Sequence, residues 1–121
     1  MAEVRFAGYA AVFDRADRAG DVLCAGAFAG ADAVPLLWQH RHAVGSAVVR
    51  EDGHGLHVEG VIDDPEAARL VRCRALDGLS VGYRPLVVRQ GGRRELLRVD
   101  LAEVSLVAVP MQPMARITQI N

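Results

Sequence analysis

The sequence predicts a mainly β, β-rich α+β fold: a small antiparallel β-barrel carrying one or two helices. Three observations predict it. Short apolar runs recur along the chain and are separated by Gly, Asp and Pro punctuation. A strong hairpin signal, Asp52-Gly53, lies between two of those runs. One stretch alone, Asp64-Pro65 onward, has the start signals and spacing of a helix.

Residues 4–13 read as the first strand, weakened by small residues in its middle. Residues 14–21 read as a polar loop, and Gly26-Ala27-Phe28 opens a short helix ending near Gly30. Residues 34–38 form a compact apolar strand leading to His40. Residues 43–50 and 55–62 pair as a hairpin across Glu51-Asp52-Gly53-His54. Asp64 caps a helix with Pro65 at its first position. Ala67, Leu70 and Val71 face inward, Arg69, Arg72 and Arg74 face water, and Gly78 ends the helix. Residues 79–89 and 94–109 are two strands joined at Gln90-Gly91-Gly92-Arg93, and 115–120 form a short closing element.

The 121 residues make one domain, 1–121, large enough for a real core. The hydrophobic fraction of 51% excludes global disorder, and the net charge of -1 offers no electrostatic footprint for nucleic acid. No run is long enough to span a membrane, and the first residues lack a signal-peptide pattern. Cys24 and Cys73 form no C-x-x-C motif, so a reduced cytosolic protein is the expectation.

Three polar residues interrupt apolar runs: Ser80 in Leu79-Ser80-Val81-Gly82-Tyr83, His40 after Leu36-Leu37-Trp38-Gln39, and Glu103 in residues 101–107. Serine, histidine and carboxylate are the parts of a serine hydrolase. Alternation places Ser80 and Gly82 on one strand face, where Gly82 leaves room for a substrate backbone, and places Glu103 with Ser105. Each residue also has a plain alternative: a solvent-facing serine, a strand-end histidine, an outward surface charge. His42 competes with His40 as the base but reads as a turn residue. His40, His42, His54 and His57 with a cysteine form no complete zinc motif, and Asp14, Asp17 and Asp21 lack the acidic end of an EF-hand. No cofactor is expected.

In order along the chain, Gly8-Tyr9-Ala10-Ala11-Val12-Phe13-Asp14, Gly20-Asp21-Val22, Gly26-Ala27-Phe28 and Leu36-Leu37-Trp38-Gln39-His40 are followed by Gly45 and Asp52-Gly53-x-Gly55-Leu56. Then come Leu79-Ser80-Val81-Gly82-Tyr83, Val99-Asp100-Leu101-x-Glu103-Val104-Ser105-Leu106-Val107 and Pro110-Met111-x-Pro113-x-Ala115. The series resembles the prohead (capsid maturation) proteases of tailed phages, including those of gene transfer agents. The resemblance implies an assemblin-like serine protease fold, with Ser80 as nucleophile and His40 as base. Glu103 matches the family's last acidic position, whereas in the herpesvirus relatives the third residue is a histidine, which leaves His54 and His57 open. Backbone N–H groups around Gly82–Arg84 are the expected oxyanion donors. The implied partners are the scaffold segment of the major capsid protein, as substrate, and a second copy in a homodimer. The implied place is the bacterial cytoplasm, inside the assembling procapsid. Typical members extend further at both ends, so the 121 residues read as a compact catalytic core. A non-enzymatic capsid-assembly module on the same fold is the second reading, and a histidine-ligated metal hydrolase the third.

Overall fold

The computed structural model describes residues 3–121; Met1 and Ala2 lie outside the described residues. The elements in chain order are β1 (Val4–Val12), β2 (Asp21–Leu23), β3 (Ala33–Trp38), β4 (His42–Glu51), β5 (Gly55–Ile62), α1 (Pro65–Arg72), β6 (Gly78–Gln90), β7 (Arg94–Val107) and β8 (Ile117–Ile120).

The strands form one sheet in the order β2-β7-β3-β4-β5-β1-β8, with β6 on β7. The sheet curls until its ends meet. A bridge joins Gly78 of β6 to Arg116, flanked by Leu79 N–H to the Ala115 carbonyl and Ile117 N–H to the Asp77 carbonyl. The core inside the curl includes Val4, Phe6, Leu36, Val58, Leu79, Val104 and Leu106. Most pairings are antiparallel as expected, but β2 and β3 both run parallel to β7. Periodicity specifies which face a strand buries and not its direction, so the parallel pairs were not readable from the sequence.

The expected hairpin forms, with β4 and β5 in register from Gly45↔Ile62 to Glu51↔Leu56. Asp52 sets its turn. Its Oδ1 accepts the His54 and Gly55 N–H groups at 2.7 and 3.1 Å, and its Oδ2 accepts the Tyr9 hydroxyl. The Tyr9 hydrogen bond first, then the His54 N–H, hold the Asp52 carboxyl at about 2, below its ordinary 3.8. A depressed folded-state value adds stability that is present at neutral pH and lost as pH falls through the folded-state value. Thermal unfolding followed between pH about 5 and about 2 is therefore expected to show a shallower acid decline for Asp52→Asn than for the parent chain.

Helix α1 begins as predicted: Asp64 Oδ2 accepts the Ala67 N–H at 2.9 Å and Pro65 occupies the first turn. Its end differs from the expectation. The helix stops at Arg72, Cys73 caps it, and Arg74 takes the left-handed conformation with φ 63°. Gly78 instead opens β6. A non-glycine residue fills the position that glycine commonly signals, so the sequence placed the stop too late.

The second expected helix, from Gly26 to Gly30, is absent. Gly26 and Gly30 adopt positive φ of 91° and 86°, and the segment forms successive turns with three-residue hydrogen-bond spacing. Glu51 takes the Phe28 N–H at 2.8 Å and pins the loop to β4. Among the described residues no helix is long and apolar enough to cross a membrane.

Candidate active site on β3, β6 and β7

Register brings the singled-out residues together. In the β6–β7 ladder Ser80 lies opposite Ser105 and Gly82 opposite Glu103. Directly opposed residues share a face, so these four stand on one side of the sheet. Parallel pairing sets Leu37 of β3 beside Ser105 and Trp38 beside Leu106. The next two residues, Gln39 and His40, thus emerge over that same face.

His40 is not in the strand that precedes it. Gln39 and His40 have φ of 53° and 61°, and the Arg41 N–H returns to the Trp38 carbonyl at 3.0 Å. Two left-handed residues at the centre of a tight turn usually call for Asn or Gly. For other residues this conformation costs roughly 1–2 kcal/mol each. Hydrogen bonds to the β7 region offset that cost. The Gln39 N–H donates to the Leu106 carbonyl at 2.9 Å, and its Oε1 accepts the Ala108 N–H at 2.7 Å. The His40 N–H donates to Ser105 Oγ at 3.1 Å. The strained turn folds the imidazole back over β7, a placement of the kind found where function fixes the backbone.

The ring then meets Glu103: His40 Nδ1 lies 2.7 Å from Glu103 Oε2. The other carboxylate oxygen accepts the Ser105 hydroxyl at 2.7 Å. Ser105 is fully buried and links His40's backbone to the carboxylate that holds its ring. Glu103 is not the outward charge of the plain alternative; its side chain is 13% exposed against 43% for His40. With a carboxylate on Nδ1, the imidazole keeps a hydrogen there and turns Nε2 toward other partners.

Gly82 has a different use from the expected one. A Cβ there would lie 2.6 Å from Glu103 Cδ and closer still to Oε2. The hydrogen-only position makes room for the carboxylate, not for a substrate backbone.

Ser80 is buried, with 8% of its surface exposed. Ser80 and His40 line one cavity of about 170 Å³, together with Leu79, Val81, Tyr83 and Gln112. The structure therefore brings Ser80, His40 and Glu103 to one place. The N–H groups of Gly82–Arg84 follow in β6, where the register with β7 shifts between Gly82 and Tyr83.

The other histidines lie elsewhere. His54 and His57 set their rings edge-on to Tyr9 at 4.6 and 5.3 Å, beside Asp52 at the β4–β5 turn. His42 is the first residue of β4 and not a turn residue, and it packs on Trp38 at 5.6 Å. Both cysteines are free thiols, and no group of three potential ligands converges among the described residues.

The profile of the caudovirus prohead serine protease family matches residues 1–121. The chain belongs to that family. Its fold is similar to that of KSHV protease, solved in complex with a hexapeptide phosphonate inhibitor, with a TM-score of 0.67 at 16% identity. The alignment covers 98% of this chain and 65% of that one, so the chain spans just under two thirds of that protein's length. No curated protein matches the chain.

Two residues of this prohead protease family member had weak sequence signals. Gln39 carries no turn signature, and its role follows only from its φ and its partners. Gln112 is buried between Pro110 and Pro113, where its amide bonds the N–H and carbonyl of Val12 at 2.7 and 2.8 Å and braces the cavity wall. Ser105 was legible as a face-sharing neighbour of Glu103, but its double contact was not. Ser105→Ala leaves a partly buried carboxylate oxygen and the His40 N–H without their partner. Any turnover that depends on this bonded pair is expected to fall about 5- to 150-fold, for a loss of roughly 1–3 kcal/mol. Ser105→Thr, which keeps the hydroxyl, should recover most of it in the same kinetic assay.

Proposed function

We propose that this chain is a serine endopeptidase in which Ser80 attacks the scissile carbonyl and His40 accepts its proton through Nε2. Glu103 fixes the ring and stabilises the imidazolium that forms. The observation that carries this reading is the 2.7 Å bond between His40 Nδ1 and Glu103 Oε2, at a cavity that His40 shares with the buried Ser80. His40 then returns the proton to the leaving amine, and water repeats the cycle on the acyl-enzyme.

The substrate is the scaffold segment of a major capsid protein, and the protease itself is a second substrate. Family membership over residues 1–121 supports this choice. The enzyme acts as a homodimer in the bacterial cytoplasm, inside the assembling procapsid. Confinement there raises local concentration, and removal of the scaffold makes maturation irreversible. The test is co-expression with a tailed-phage major capsid protein that carries its scaffold segment, read by intact mass. A discrete truncation with the parent chain, absent with Ser80→Ala, is the expected result. Full-length capsid protein in assembled shells from both strains would overturn the reading and leave a non-enzymatic assembly module.

A further inference from the structure

Two carboxylates gather beside Ser80. The charged carboxylates lining its cavity are Asp17 and Asp21, carried by the loop and short strand that follow β1. Asp17 Oδ1 accepts the Ala19 and Asp21 N–H groups at 2.8 and 3.0 Å, which fixes the carboxylate and leaves Oδ2 for another donor. The neighbouring cations do not fill the space. Arg18 turns away and donates from Nε to the Pro110 carbonyl at 3.0 Å; Arg94 makes a long ion pair with Asp21, Nε to Oδ1 3.9 Å, without lining the cavity. The remaining walls are largely apolar, from Ala10, Leu23, Leu79, Val81 and Met111. Tyr83 completes them, and its hydroxyl pKa is raised by burial and then by the charges of Asp17 and Asp21. Both carboxylates therefore act on the same space. Ser80, 8% exposed as a residue, lines the same space.

We infer that this cavity takes the side chain of a lysine or arginine flanking the scissile bond. Its apolar walls cover the methylene stem, and Asp17 and Asp21 receive the cationic head. The inference rests on the reading of Ser80 and His40 as the reacting pair, and makes the two aspartates specificity-determining residues of that site. It also gives a use to the acidic loop, which matches no cation-binding motif.

The test incubates the full chain, and its Asp17→Asn and Asp21→Asn variants, with peptides randomised over eight central residues. Products are sequenced by mass spectrometry. In parallel, a fluorophosphonate reports the reactivity of Ser80. For the parent chain, Lys and Arg should be enriched at one position beside the cut. Each Asn variant should lower that enrichment by about tenfold, as loss of one charge-assisted contact predicts, while Ser80 labels at the parent rate. Labelling of Ser80 with no Lys or Arg enrichment, with no products, or with enrichment unchanged in both variants overturns the inference and leaves the catalytic reading standing. No labelling and no products overturns both.

Discussion

Under the proposed mechanism His40→Ala lowers kcat for peptide-bond cleavage by on the order of a millionfold, while KM changes little. The imidazole lines the same cavity as Ser80, and its orientation already depends on a 2.7 Å bond to Glu103. Stability should move far less, because the His40 side chain is 43% exposed. What the fold loses is one partner of the Glu103 carboxylate, whose other oxygen keeps the Ser105 hydroxyl. Single-turnover cleavage read by intact mass, beside thermal unfolding of the same samples, separates the two effects. A large drop in unfolding temperature with proportionate loss of activity would instead make His40 a structural turn residue.

The second large effect comes from a methyl group. In Gly82→Ala the new Cβ occupies the place of the Glu103 carboxylate. The atoms it meets are the far end of a flexible side chain, so Glu103 can swing away without moving β6 or β7. The swing breaks both of its bonds, to His40 Nδ1 and to Ser105 Oγ. A fall in kcat of about 10²- to 10⁴-fold is expected, comparable with losing the orienting carboxylate of a serine protease triad. The unfolding free energy should drop by no more than roughly 1–3 kcal/mol, the usual cost of one added methylene. Combining Gly82→Ala with Glu103→Ala should restore that stability, with kcat no lower than in Glu103→Ala alone. Additive losses would show that Gly82 acts apart from Glu103.

These effects mark what the sequence could and could not convey. The β4–β5 hairpin and the start of α1 were legible because their signals are local: Asp52 and Gly53 at a turn, Asp64 and Pro65 at a cap. Ser80, His40 and Glu103 were legible as polar interruptions in apolar runs, and the order of motifs tied them to one family. The turn that delivers His40 was not legible, because Gln39 and His40 adopt a backbone shape that neither residue favours and that contacts distant in sequence impose. Gly82 was read as room for substrate for a related reason. Its neighbour across the ladder depends on register, and register follows from the whole sheet. The stop of α1 at Cys73 and the turns at Gly26–Gly30 failed in opposite ways. In one a left-handed residue is not glycine, and in the other glycines serve turns and not a helix.

The most direct test of the central claim is mass mapping of a fluorophosphonate adduct on the purified chain, with its rate compared in the parent and in His40→Ala and Glu103→Gln. The account predicts a single adduct on Ser80, slowed at least about 100-fold in His40→Ala and by an intermediate factor in Glu103→Gln. An adduct on another residue, no adduct at all, or a Ser80 rate indifferent to His40 would contradict it.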